Sequence, residues 1–324
     1  MTLHYLVTGS AGFIGAKVAG LLLEDGHHVT GIDNLNDAYD IRLKEWRLSQ
    51  FNGQPGFEFL QVDICDKETL REVFDIQFDA VLNLAARAGV RQSVEDPWAY
   101  FETNVTGTLN VLEMCKETGV GKFVQASTSS IYGASNDRPF VEDTETGKPL
   151  SPYAASKKAA ETLCYTYHYL HGIDVTVPRY FTVYGPAGRP DMSMFRFVQW
   201  VTEGRPVTIY GDGQQSRDFT YVDDIARGTI ASLRPVGYEI INLGSDSPVS
   251  LLDVVKHVEK LVNNGAAKLV FEPPLPADPV ATWADISKAR RLLDWSPETG
   301  ILEGISNLVQ WYAENREWTR NIAL

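Results

Sequence analysis

Three cysteines and six histidines are all this chain of 324 residues offers to a soft or borderline metal ion, and neither set has ligand spacing. Cys65, Cys115 and Cys164 lie far apart, unlike the closely paired ligands of zinc sites. They read as buried free thiols, as a reducing compartment allows, and no metal is expected. Also missing is any uninterrupted apolar run long enough for a membrane span. The N-terminus enters a polar-flanked strand with no signal-peptide pattern, so a cytoplasmic location is expected. Positive charge is in the minority, with 29 Lys and Arg against 42 Asp and Glu, a formal net charge of −13. That balance argues against nucleic acid or an anionic membrane as a partner, since both call for a basic face. A small anionic ligand stays open, because a helix N-terminus and one or two arginines suffice for it. Internal repeats and low-complexity tracts are absent.

What is present begins with a strand, a glycine turn and a helix. His4 to Thr8 reads as a short buried strand; Gly9, Gly12 and Gly15 follow three apart, and Ala16 to Leu23 has a helical pattern that stops at Gly26. Glycines in that position let the backbone approach a pyrophosphate where unpaired N–H groups and the helix dipole favour anions. Phe13 and Ile14 lie inside the same turn. The next strand, His28 to Ile32, ends in Asp33, eighteen residues after Gly15. A carboxylate there accepts ribose hydroxyls and repels a 2′-phosphate. The first arginine after it is Arg42, so NAD is expected over NADP, with Asn34 beside the ribose.

Alternation of strand and helix continues: strand 59–62 before Asp63 and Ile64, helix 67–74, strand 80–84 before Ala85 and Ala86, helix 98–116, strand 123–127. Parallel strands joined by helices predict an α/β fold, a doubly wound Rossmann sheet whose ligands bind beyond the carboxyl ends of the strands. Asp63 and Ile64 are placed beside adenine, Ala85 and Ala86 beneath the cofactor, and Ser127 near the nicotinamide. Asn104, inside a helix, is read either as a cofactor-side residue or as a polar bridge between elements. A polar stretch from Tyr132 to Ser151 reads as a surface loop or lid. The pattern changes near Thr182. This divides the chain into a nucleotide domain, 1–182 with 219–245 returning to it, and a smaller C-terminal α/β substrate lobe of 183–218 and 246–324.

Within Ser151-Pro152-Tyr153-Ala154-Ala155-Ser156-Lys157, a tyrosine and a lysine four apart share one helix face. Ser151 suits the N-cap and Pro152 the first turn. A free tyrosine titrates at about 10, so working as a base near neutral pH takes a lowering of roughly 3, worth about 4 kcal/mol. A neighbouring ammonium, joined by a positive nicotinamide, is expected to supply it.

Gly9/Gly12/Gly15, Asp33, Thr128 and Tyr153/Lys157 together resemble the extended short-chain dehydrogenase/reductase family, over essentially the whole chain. Members act on nucleotide sugars. Ile131-Tyr132-Gly133 marks Thr128 as the position that, by this resemblance, binds the reacting hydroxyl. Dehydratases of the family carry Asp-Glu at the next two positions and decarboxylases usually a glutamate; Ser129 and Ser130 stand here, without an acid to serve elimination at carbon 6.

DNLNDAYDIRLK (33–44), AARAGVRQS (85–93) and TVYGPAGRPDM (182–192) are similar to UDP-glucuronate 4-epimerases in particular. That resemblance implies interconversion of UDP-glucuronate and UDP-galacturonate through a 4-keto sugar, with NAD taking and returning hydride. It gives Tyr153 the proton of the 4-hydroxyl, Lys157 the lowering of the tyrosine's pKa and the nicotinamide ribose, and Thr128 the orientation of the hydroxyl. It also implies Arg87, Ser129 and Ser130 at the sugar, and Arg189, with Thr182, pairing bidentately with the uronate carboxylate so that carbon dioxide is not lost. Ile209 and Tyr210 would grip uracil, Arg217 the diphosphate and Asp278 a ribose hydroxyl. Leu275 departs from the family's glutamine or arginine three residues before Asp278. A homodimer through the helices 98–116 and 152–171, with Tyr165, Tyr167, Tyr169 and Leu170 as apolar contacts, is a further implication. Rival readings are a UDP-glucuronate decarboxylase, a neutral UDP-hexose 4-epimerase and a non-catalytic NAD-sensing scaffold.

Overall fold

A computed structural model describes residues 1–134, 138–274 and 280–324. Its main sheet is parallel. Reading across, the strands are Tyr238–Leu243, Asp174–Tyr180, Lys122–Gln125, Ala80–Asn83, His4–Thr8, His28–Ile32 and Phe57–Leu60, with the short strand Ser127–Thr128 pairing Arg179–Tyr180. The first strand in sequence therefore lies inside the sheet, and successive strands are added on either side of it. Their order reverses between His4–Thr8 and Ala80–Asn83, which opens a crevice at the carboxyl ends of those two strands.

The central strands are apolar on both faces, as burial between helices requires. Leu6, Val7, Val81 and Leu82 are fully buried. At the crevice the first and fourth strands are tied by polar side chains. Thr8 Oγ1 donates to Asn83 Oδ1 at 2.6 Å and accepts the N–H groups of Leu84 and Ala85 at 3.1 and 3.0 Å. Those bonds hold the backbone of Ala85 against the glycine turn.

Several expected elements shift. The third strand ends at Leu60, leaving Asp63 three residues beyond it. The segment from Trp98 to Lys116 is not one helix. Pro97–Phe101 and Thr108–Thr118 are α-helical, and Glu102–Gly107 between them is a turn of π-helix, a local widening often found where a helix serves a site. The expected lid is tied down among its described residues. Phe140 is buried, stacks on Tyr132 at 4.7 Å and donates its N–H to Trp283 O at 2.7 Å, while Glu142 accepts the N–H of Asn242.

Helix Val222–Ala231 packs on Phe13–Glu24, and Tyr238–Leu243 is the edge strand. A second body of buried apolar residues, among them Phe195, Val198, Val254, Val258, Leu308 and Tyr312, gathers the helices Ser193–Thr202, Leu251–Val262 and Ile301–Glu314. Leu43 joins it from helix Ile41–Ser49. That helix has no clear period because the face it buries includes Lys44 and Arg47 as well as Leu43. Strand Leu269–Glu272, also unexpected, pairs in parallel with Val207–Tyr210.

Candidate active site

Two adjoining cavities lie beyond the carboxyl ends of the strands. The larger, about 510 Å³, is lined by Gly9, Gly12, Phe13, Ile14, Gly15, Asp33, Asn34, Asp63, Ile64, Ala85, Ala86, Arg87, Ser127, Thr128, Tyr153 and Lys157. The smaller, about 280 Å³, is lined by Ile209, Tyr210 and Arg217 together with Arg91 and Arg196. Ser129, Ser130 and Thr182 belong to both walls.

Glycine is required at the first turn by contact as well as conformation. Gly9 has φ +69°, and a Cβ there would lie 2.7 Å from Ala85 N; one on Gly15 would lie 2.1 Å from Gly9 O. Backbone thus packs on backbone, and the helix Phe13–Glu24 starts at the cavity wall with no side-chain cap on its N–H groups, the arrangement that suits an anion.

At one end of this cavity two carboxylates, Asp33 and Asp63, are each held by partners. Asp33 Oδ1 accepts the N–H of Leu35 at 2.8 Å and the ammonium of Lys44 at 3.2 Å. Asn34 donates to Asp63 Oδ2 at 2.7 Å, and Cys65 N–H to Asp63 Oδ1 at 2.8 Å. Burial pushes the Asp63 carboxyl up, but those hydrogen bonds outweigh it and hold the group below the usual carboxylate range.

The other end is built on the helix Pro152–His171. Ser151 caps it, its Oγ accepting the Ala154 N–H at 3.2 Å, and Gly172 ends it in the left-handed conformation at φ +70°. Tyr153 and Lys157 share a face, as the spacing predicts. Their electrostatics differ from expectation. Burial pushes the Tyr153 phenol up, opposed by the neighbouring Thr128 hydroxyl and by the charge of Arg189. Lys157 is itself pushed down to about 8 by burial. The physical reason is desolvation, which opposes the charged form of both groups. Thr128 Oγ1 also accepts the Ser130 N–H at 3.2 Å, fixing the hydroxyl next to the phenol.

Behind this pair is a buried ion pair that the sequence did not disclose. Arg179 forks onto Glu161 with two bonds of 2.9 Å, both side chains 1% exposed. Glu161 Oε1 also accepts Ser127 Oγ at 2.7 Å, so Ser127 is turned toward the helix.

Two site residues are held by other groups of the chain. Asn104 does not line the cavity. Its side chain accepts the N–H of Arg87 at 2.8 Å and donates to Arg87 O and Ser156 Oγ, both at 2.9 Å, so it bridges the loop 85–88 to the tyrosine helix. Arg189 already has a bidentate partner. Its Nε and Nη2 engage Asp191 at 3.0 and 2.5 Å, and Nη2 reaches Ala88 O at 3.1 Å. A two-point grip on a substrate carboxylate would have to displace Asp191. Asp278 and Leu275 lie outside the described residues.

Other residues enter the site unforeseen. The guanidinium of Arg91 stacks on the Tyr210 ring at 4.5 Å. Among the described residues Arg196 Nε is buried without a hydrogen-bond partner, and the charge of Arg91 adds to burial in disfavouring its ionised form. Cations set close together at a cavity wall suit an anionic ligand. The hint in the sequence was an arginine interrupting the apolar run Met194–Val201. Tyr100 packs edge-on to Tyr153 at 6.1 Å; no sequence spacing could have announced it.

Residues 5–244 match the model of the NAD dependent epimerase/dehydratase family. The chain belongs to that family. A UDP-glucuronate 4-epimerase of Thermodesulfobacterium geofontis is 55% identical over 98% of this chain and 99% of its own length. A UDP-glucuronic acid 4-epimerase of Bacillus cereus, solved in complex with UDP-glucuronic acid and NAD, superposes with a TM-score of 0.90 at 38% identity, covering 97% of this chain and 100% of that one. A UDP-glucose 4-epimerase of Thermotoga maritima, solved with UDP-glucose, gives 0.89 at 30% identity, covering 97% and 100%. The cofactor of this epimerase/dehydratase family is NAD, and the larger cavity suits it, with the close-packed glycine turn for a pyrophosphate and a carboxylate at the end of the second strand for a ribose.

Proposed function

We infer that the chain is an NAD-dependent epimerase that inverts carbon 4 of UDP-glucuronate, giving UDP-galacturonate through a transient 4-keto sugar. The observation that carries this reading is the meeting of the two cavities at Ser129, Ser130 and Thr182, in a wall that also carries Thr128 and Tyr153. A sugar whose nucleotide fills the smaller cavity would reach the phenol with its reacting carbon. The 55% identical relative bears the same activity in its name.

NAD, when bound, would accept the hydride of carbon 4 and give it back once the keto sugar has turned over in the site. Tyr153 takes the 4-hydroxyl proton and gives it back, Thr128 orients that hydroxyl, and Lys157 lends positive charge to the same end of the cavity. Ser129 and Ser130 contribute hydroxyls where elimination would need an acid. Gly9, Gly12, Phe13, Ile14 and Gly15 receive the pyrophosphate, with Ala85 and Ala86 facing them. Asp33, Asn34, Asp63 and Ile64 take the adenosine.

The smaller lobe, 183–218 and 246–324, holds the nucleotide through Ile209, Tyr210 and Arg217, joined by Arg91 and Arg196. Asp278 stays assigned to a ribose hydroxyl on resemblance alone. Arg189 serves the uronate carboxylate by a single contact or by shaping the wall with Asp191, and Arg87 and Thr182 line the sugar.

Incubation with UDP-glucuronate followed by mass spectrometry tests the reading. A new isomer of unchanged mass is the expected result. Loss of carbon dioxide would make the chain a decarboxylase, and turnover only of a neutral UDP-hexose would move the substrate class. A chain that binds NAD and turns over none of these would be a non-catalytic sensor.

Exposed apolar surface supports a reading of the assembly. Trp98, Tyr169 and Leu170 are 82%, 75% and 62% exposed, whereas Tyr167 is buried and bonded to Glu113. We propose a homodimer formed by the helices that carry these exposed residues, and Trp98→Asp should leave a monomer by light scattering.

A further inference from the structure

Lys44 and Asp33 form a buried pair in the wall of the larger cavity, their side chains 5% and 7% exposed. The ammonium reaches Asp33 Oδ1 and Asn36 Oδ1, each at 3.2 Å, and lies 5.6 Å from the centre of the Tyr39 ring. The neighbouring arginine in the same segment is differently disposed. Arg42 is committed to Asp40, with bonds of 2.9 and 2.5 Å, and its side chain is 41% exposed. A positive charge already stands, then, where a 2′-phosphate on the adenosine ribose would arrive, and a single carboxylate cancels it.

We propose that Lys44 is a second determinant of cofactor choice. It fixes one oxygen of Asp33, so that the other is presented to the ribose hydroxyls, and it is a latent 2′-phosphate site that Asp33 masks. Rejection of the phosphorylated cofactor is therefore a property of the pair. With Asp33 ionised, a 2′-phosphate meets a carboxylate, and the ammonium beside it is neutralised. Remove that one negative charge and the ammonium, held in place by Asn36 and the Tyr39 face, becomes the counter-ion of a dianionic group in a partly buried setting, where a charge pair is far stronger than in water. The inference rests on the NAD reading above.

Calorimetric binding of NAD and of NADP to nucleotide-free protein tests it, since binding is read without turnover. Wild-type protein should bind NAD and reject NADP. Asp33→Asn should weaken NAD and strengthen NADP by roughly tenfold or more. In Asp33→Asn combined with Lys44→Met, the gain for NADP should vanish, and Lys44→Met alone should not improve NADP, because Asp33 still repels it. An equal gain with and without Lys44 would overturn the proposal, as would no gain in a folded Asp33→Asn protein. Asp33→Ser repeats both measurements if Asp33→Asn melts early. Failure of the wild-type protein to bind NAD would instead break the underlying reading.

Discussion

The two ends of the larger cavity handle charge in opposite ways. Where the adenosine would lie, Asp33 is paired with Lys44, and Asp63 is held by Asn34 and the Cys65 N–H. At the other end Tyr153 and Lys157 are pushed away from their charged forms by burial, and the carboxylates that act on them, Asp191 and Glu161, are committed to Arg189 and Arg179. A region that only binds gains from charges settled in advance, because nothing about it changes during a turnover. A region that moves a proton gains from charge left unsettled. There the two protonation states lie closer together in energy, and a bound cation or a developing oxyanion can tip them.

Tyr153→Phe should break the reacting end outright. We expect epimerisation to fall by about a thousandfold, within the range for losing a positioned acid–base group, while NAD binding by calorimetry changes little. If activity survived, the proton would be handled by another group. Glu161→Ala comes next. It leaves the Arg179 guanidinium buried and unpaired, costing about 3 to 5 kcal/mol in chemical denaturation. The same change at the exposed pair of Lys256 and Asp253, made as Asp253→Ala, should leave the denaturation midpoint nearly unmoved. Equal costs would show that the pair behind Tyr153 is not buried in solution.

Ser151→Ala removes the cap of the tyrosine helix and should cost about 1 kcal/mol, read as a lowered melting midpoint. The mildest test is of pH. Lys157 is pushed below its ordinary value to about 8, so its positive charge is present below that pH and lost as the pH rises through it. Activity should decline above pH 8, and Lys157→Arg, whose charge does not titrate there, should lose that alkaline limb even if it is slower throughout. An unchanged limb would assign it to some other group.

The parts of the fold legible from residues alone are those in which chemistry and chain order coincide. Strand, glycine turn, helix and Asp33 follow one another, and so do Ser151, Tyr153 and Lys157. Departures arise where one residue answers to a distant one. Asn104 looks like a helical residue near the cofactor, but the π turn carries its amide to Arg87 and Ser156, 17 and 52 residues away along the chain. Arg189 reads as a free arginine on a loop until Asp191, two residues on, is seen to fill its fork. Helix Ile41–Ser49 was illegible because it buries a lysine and an arginine, which a hydrophobic period cannot register.

The sequence by itself determined the local rules: which turn admits a pyrophosphate, which helix begins with a cap, which spacing sets a phenol above an ammonium, and that no acid follows Thr128. Backbone preferences and 3.6-residue periodicity act over a few residues, so they can be read in order. Tertiary structure decided the state of those groups. Whether Tyr153 and Lys157 are paired or strained, whether Lys44 masks or is masked, and where the two cavities meet all depend on desolvation and on charges brought together from segments far apart in the chain.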